Sequence, residues 1–205
     1  MSTSEAITRL TLDPDNARNT TITWEDSTVA YTVQTEMSNQ GTTMRICKAG
    51  GSPVAIIQFR ARGSPFNLVS VALGDQEPIA IGKWLSTSMV PFRNHASFKD
   101  DSGRKYKWKG TGPGESLQLF AEDDDYKECI ARFYYSSKSW KTDPPTTIPA
   151  TLTLLPRAEE IHDLVVASFL YLERERRVKE AATNIRAEVN VIAGMQASMC
   201  INTTC

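Results

Sequence analysis

The sequence is short of the residues from which metal and catalytic sites are usually assembled. It has two histidines, His95 and His162, and four cysteines at positions 47, 129, 200 and 205, with no Cys-x-x-Cys pair. A structural zinc site needs four Cys or His ligands in close pairs, and this spacing supplies none. Neither a Gly-x-Ser-x-Gly elbow nor a Gly-x4-Gly-Lys-Ser/Thr loop occurs, and "GTGPG" at 110 to 114 lacks the strand and helix of a dinucleotide site. That glycine-rich stretch reads as a hairpin loop, and neither a metal nor a cofactor is expected.

An excess of charge of one sign is missing too. With 23 basic and 24 acidic side chains the net charge is −1, which provides no bulk attraction to nucleic acid or to an anionic membrane. No nucleic-acid partner is expected. The opening "MSTSEAITRL" has neither a basic start nor an apolar run, unlike a secretory or transit peptide. The expectation is an intracellular, cytoplasmic protein with reduced thiols, nuclear or peripheral-membrane residence staying open. The longest uncharged stretch, the nine residues from Leu164 to Leu172, falls far short of the ~20 needed to span a bilayer.

What is present is a run of short strands. A chain of 205 residues, 40% of them hydrophobic, suits one globular domain. From residue 6 to about 155, segments such as "ITRLTL", "TVAYTVQT", "PVAIIQFRA", "PIAIGKWLS", "RKYKWKG" and "ECIARFYYSS" follow a period of two. Turn-forming stretches such as "PDNARN", "GGSP" and "TDPPTTIP" separate them. About a dozen strands are predicted. The one long helical pattern comes at the C-terminal end, opened by Pro156 with Glu159 and Glu160 in its first turns. Its core, "LVVASFLYL", has no polar face, so it must be hidden on every side.

A dozen strands and one helix buried all round fit together if the sheet closes around the helix. The predicted architecture is therefore mainly β, a closed barrel of about twelve strands. Leu164, Val165, Val166, Phe169, Leu170 and Leu172 of the helix, about 157 to 177, are expected to be buried inside. Residues 1 to 177 would form the domain, and 178 to 205 a helical extension with a loose tail. In "ERERRVKEAATNIRAEVNVIAG" the pairs Glu173 to Arg177 and Glu175 to Lys179 stand at i, i+4, as in a solvated helix. Val178, Ala182, Ile185, Val189 and Ile192 make a narrow apolar stripe, to be covered either by the domain itself or by another chain.

Four stretches, "LTLDPDNARNTTITWEDSTVAYTV", "FKDDSGRKYKWKG", "LQLFAEDDDYKECIARFYY" and "ATLTLLPRAEEIHDLVVASFLYLERERR", carry a resemblance to an uncharacterised domain family abundant in basidiomycete fungi. Its most specific marks are "YKW" at 106 to 108 and the closing apolar helix followed by arginines. That family in turn is similar to the tubby-like group: the tubby C-terminal domain, the phospholipid scramblases and the plant LURP-one-related proteins. The resemblance implies a closed barrel of about twelve strands around a hydrophobic C-terminal helix. Tubby domains bind phosphoinositides and scramblases associate with membranes and calcium, but the resemblance assigns no ligand residues here, and fold alone carries function poorly.

The best binding candidate is "GRKYKWKG". In a strand Lys105, Lys107 and Lys109 project to one face, opposite Arg104, Tyr106 and Trp108. Three ammonium groups spaced by two residues suit a phosphorylated headgroup or an acidic partner, with Arg93, Lys99 and Lys83 as possible neighbours. The alternative is an ordinary solvated face. "AEDDDYKE" fails the EF-hand pattern, since counting from Asp123 places Glu128 and Tyr134 where glycine and glutamate are required. An acidic hairpin tip fits it better.

Three functions follow as expectations. One is a non-enzymatic module that binds phosphoinositide or another anionic lipid through Lys105, Lys107, Lys109 and Arg93. Another is a protein-interaction or assembly module, oligomeric through residues 173 to 193. The third is an enzyme with a site at a barrel mouth near His95 or His162.

Overall fold

The computed structural model describes residues 7–60, 69–88, 94–141 and 143–201, with backbone alone described over 188–201. Arg93 lies outside the described residues. The first half of the chain supplies β1 (Thr8–Asp13), β2 (Thr20–Thr23), β3 (Val29–Ser38), β4 (Gly41–Lys48), β5 (Pro53–Arg60), β6 (Val69–Leu73) and β7 (Ile79–Ala80). After the short helix α1 (Ile81–Trp84) come β8 (Ser86–Thr87), β9 (His95–Lys99), β10 (Lys105–Lys109), β11 (Gln118–Ala121) and β12 (Cys129–Tyr134). Then follow β13 (Ser137–Ser139), β14 (Thr146–Ile148) and β15 (Ala150–Leu154), and the helices α2 (Pro156–Glu159) and α3 (His162–Ile201).

Thirteen strands make one antiparallel sheet in the order β7-β6-β5-β4-β3-β2-β1-β15-β12-β11-β10-β9-β8, while β13 and β14 form a separate hairpin. The alternation that marks the strands in the sequence becomes the inner face. Leu10 and Leu12 of β1, Met44 and Ile46 of β4, Ile57 of β5 and Leu152 and Leu154 of β15 are all buried. β1 ties the first strands to the last through its ladder with β15, from Thr8 opposite Leu154 to Leu12 opposite Ala150.

Hydrogen bonding does not close this sheet into the expected barrel. Among the described residues no ladder joins the edges β7 and β8, which are two residues long each. The turn of helix α1 stands between them and touches β6, β7 and β8. Its Trp84 and the following Leu85 are buried, so apolar packing rather than a strand pair covers this seam. "PIAIGKWLS", expected as one strand, is thus split into β7, the turn of α1 and the start of β8, whereas β9 and the β13–β14 hairpin were not foreseen.

The C-terminal helix is enclosed by the sheet as its sequence demands. Val165, Val166, Ala167, Phe169 and Leu170 are wholly buried, and only Leu164 of the predicted set is half-buried. Partners come from well-separated strands: the Phe169 ring lies 4.7 Å from Phe133 of β12 and 6.3 Å from Trp108 of β10, and Tyr171 stacks on Phe59 of β5 at 6.2 Å. Each large side chain so buried contributes about 1.5–3 kcal/mol. Among the described residues no helix is long and apolar enough to cross a membrane.

α3 does not stop where the sheet ends. It runs unbroken for 40 residues to Ile201, so the segment expected as a loose tail is helical to that point. Val178 and Ile185 are 52% and 60% exposed, so this part of the apolar stripe does not pack on the domain.

Candidate functional site

β10 alternates strictly. Tyr106 and Trp108 are buried, while Lys105 and Lys109 are exposed and Lys107 half-exposed on the outer face. The ladder with β9 sets Lys105 opposite Lys99 and Lys109 opposite His95, so the basic face extends across two strands. Arg104 is not on the inner face with Tyr106. It precedes β10, and its guanidinium donates to Asp100 at 2.6 Å and to Glu160 at 3.2 Å.

Each of the three ammonium groups already has a neighbour. Lys105 Nζ bonds Glu122 Oε1 at 2.9 Å; this hydrogen bond, with the charge behind it, raises the Lys105 pKa and lowers that of Glu122. Lys107 Nζ stands 3.7 Å from the centre of the Tyr126 ring. Lys109 Nζ lies 3.8 Å over the Phe120 ring and donates to the Tyr126 carbonyl at 3.3 Å. Exposed contacts of this kind are weak and screened by solvent, so an anion of higher charge density can replace them.

Tyr126 owes its position to an unusual turn. Asp125 and Tyr126 are consecutive non-glycine residues in the left-handed region, with φ of 58° and 59°. Such conformations cost about 1–3 kcal/mol each and persist only when their surroundings enforce them. Here Asp124 accepts the backbone N–H groups of Lys127 and Glu128, both at 3.2 Å, and Arg157 Nη1 at 3.2 Å, while Arg157 also pairs with Asp123. The acidic run is therefore the brace of this turn. Among the described residues no group of three or more His, Cys, Asp or Glu is placed to hold a metal ion.

Beside Lys107 and Lys109 opens a shallow depression of about 660 Å³, bordered by Asn94, His95, Glu115 and Gln118. His95 thus belongs to the basic face. Asp100, directly after the strand that His95 begins, is held by Arg104 and by the Tyr106 hydroxyl at 3.2 Å.

His162 starts α3, with Nδ1 2.7 Å from the Glu159 carbonyl and the Trp24 and Tyr31 rings close by. Neighbouring Asp163 accepts the Tyr31 hydroxyl at 2.9 Å and Lys48 Nζ at 2.7 Å. Burial and then the Asp163 charge push the Tyr31 pKa upward, which keeps it a neutral donor. The arrangement reads as a fastening of the helix start. Cys47 and Cys129 are half-buried free thiols, and burial raises the Cys129 pKa, which disfavours the reactive thiolate.

Sequence reasoning missed the opposite end of the enclosed helix segment. Glu173 is fully buried and Arg176 nearly so, at 3% exposure. Glu173 accepts Arg176 Nε at 2.9 Å and Arg177 Nε at 2.5 Å; Arg177 continues to Asp15, and Arg176 to Glu180 at 2.8 Å. Glu180 in turn accepts the backbone N–H of Gly114 at 2.8 Å. "ERERR" is thus a buried ionic clasp, not a solvated helix face. The only sequence signal was its position directly after a run of buried apolar residues.

No curated protein matches the chain. Among solved structures, an X-ray structure of a protein from Arabidopsis thaliana is similar over 80% of this chain and 90% of that one, at 14% identity and a TM-score of 0.36. Residues 15–178 match DUF6593, a family of unknown function, and the chain belongs to that family.

Proposed function

We propose that the protein is a non-enzymatic binding module whose ligand is a phosphoinositide or another anionic lipid. Lys105, Lys107 and Lys109 engage the headgroup, with Arg93, outside the described residues, as a further candidate. One observation carries this reading: the three lysines share an outer face on which a strained, braced turn holds Tyr126. Backbone strain of that kind tends to collect at binding sites. The ligand would displace Glu122 from Lys105 and use the open depression beside Lys107 and Lys109. We further infer that the long antiparallel sheet around a C-terminal helix is of the tubby-like kind, which suits the same reading without assigning residues to it.

The test is sedimentation with liposomes containing or lacking phosphoinositide, at low and at physiological salt. Binding should fall as salt rises, and reversing all three lysines to glutamate should abolish it. Undiminished binding by the triple variant would refute the site.

A second reading rests on a different observation, the exposure of Val178 and Ile185 on a helix that has left the sheet. In it the domain is a socket that presents α3 to a second copy of the chain. Val178, Ala182, Ile185, Val189 and Ile192 follow one another at alternating steps of four and three, the spacing of a coiled-coil seam. Ending the chain after Arg177, which removes the whole seam, should lower the mass measured by light scattering from that of an oligomer to that of a monomer. A full-length monomer would remove this reading.

A further inference from the structure

Among the described residues, three buried side-chain nitrogens have no hydrogen-bond partner: Nε1 of Trp84, Nε of Arg18 and Nε of Arg174. The two arginines lie at the same rim of the sheet. Arg18 Nη2 reaches Met37 Sδ at 3.9 Å, and the Arg174 guanidinium lies 3.6 Å over the Phe59 ring. Met37 of β3 and Phe59 of β5 both pair with Thr42 of β4, one on each side. Neighbouring strands stand about 4.8 Å apart, so both guanidiniums sit over one short row of side chains about 10 Å long.

Their surroundings leave them short of negative charge. Arg174 has one carboxylate, Glu175 at 2.5 Å. Arg18, among the described residues, has only the sulfur of Met37, a poor acceptor on a side chain that is 78% exposed and free to swing aside. The Arg18 backbone is firmly placed: its N–H donates to Asn16 Oδ1 at 2.9 Å and its carbonyl accepts the Thr35 hydroxyl at 2.5 Å. Burial first, and the nearby Arg18 charge as well, lower the Arg174 pKa against the opposing influence of Glu175. Two like charges held together with unused N–H groups are an unfavourable arrangement unless something neutralises them.

We propose that Arg18 and Arg174 form a binding cleft for a phosphate-type oxyanion, on the rim above Met37, Thr42 and Phe59. Glu175 offsets one of the two positive charges, and a compact oxyanion whose oxygens accept from the forked N–H edge of each guanidinium offsets the other. The thioether of Met37 is the movable cover, and the Phe59 and Tyr171 stack is the apolar floor that holds Arg174 in place. This site uses none of the β10 lysines, so it stands or falls independently of the function proposed above.

The experiment is calorimetric titration of the full chain with inorganic phosphate at constant ionic strength. A parallel arm uses phosphatidylcholine vesicles with and without a phosphorylated inositol lipid. The proteins are the unaltered chain, Arg18→Gln, Arg18→Lys and the triple lysine-to-glutamate variant. Phosphate should bind the unaltered chain and the lysine variant alike, and Arg18→Gln should weaken it by about tenfold or more. Arg18→Lys, which keeps the charge and loses the fork, should fall in between. Vesicle binding that Arg18→Gln abolishes, without binding of free phosphate, would place the same oxyanion on a lipid headgroup and still support the cleft. Equal binding by the unaltered chain and Arg18→Gln in both arms, or binding in neither, would overturn it.

Discussion

The indole N–H of Trp108 donates to Ser168 Oγ at 2.9 Å, joining β10 to α3 in a region where both residues are fully buried. Ser168 passes its own proton to the Leu164 carbonyl at 2.7 Å, so the hydroxyl is satisfied in both directions. Ser168→Ala would fill nearly the same volume and leave the indole N–H without an acceptor. The expected cost is about 1–3 kcal/mol, read as a lower urea midpoint with an unchanged slope. A variant as stable as the original would mean that the indole finds another acceptor.

The clasp around Glu173 should be worth more. Removing one member of a buried ion pair usually costs about 3–5 kcal/mol, because the remaining charge stays buried without its partner. For Glu173→Ala the lower end, about 3 kcal/mol, is expected, since Arg177 keeps Asp15 and Arg176 keeps Glu180. Glu180→Ala, which breaks a contact at a partly exposed residue, should cost less. Equilibrium unfolding of the two variants side by side checks the order, and a reversed order would contradict the burial pattern.

Much of this was readable from particular residues. "LVVASFLYL" has no polar face, and that alone required enclosure by the rest of the chain. The alternation in "KYKWK" placed Tyr106 and Trp108 inward and the three lysines outward. What local pattern cannot convey is pairing at a distance. Asp15 meets Arg177 only because β1 is paired with β15, which leads directly into α2 and α3. The same limit hid β9, whose inward Ala96 and Phe98 give too short an alternation to stand out, and α1, whose "IAIGKW" fits a strand as well as a helical turn.

Acid should act on the clasp through Asp15. Burial works to raise its pKa, but hydrogen bonds from Arg177 and Ser136 outweigh this and hold it below the ordinary value of 3.8. A carboxylate depressed in the folded state contributes stability that is fully present above its unfolded pKa and is lost as pH falls through the folded pKa. The stability difference between the unaltered protein and Asp15→Asn should therefore be constant near neutrality and shrink below about pH 4. Chemical unfolding across that range measures it. A difference that does not change down to the acid limit would show that the Asp15 charge plays no part.

The end of β10 offers a test of the backbone that carries the lysine face. Gly110 has φ of +80°, and a Cβ built there would lie 2.1 Å from the Ser116 carbonyl oxygen, which is fixed main chain. Gly112, two residues on, would place its Cβ 2.3 Å from Asn94 Nδ2, the tip of an exposed side chain that can turn away. Gly110→Ala must both adopt a left-handed conformation and push two backbone segments apart. It should destabilise by about 2 kcal/mol or more, whereas Gly112→Ala should stay within about 1 kcal/mol. Because Lys109 immediately precedes Gly110, the first variant should also weaken any anion binding that depends on the β10 lysines, in proportion to how far the strand end shifts. Comparing thermal midpoints and liposome sedimentation for the two variants separates these effects. If Gly112→Ala proved the more damaging, the Ser116 carbonyl could not be the rigid obstacle that the Gly110 geometry requires.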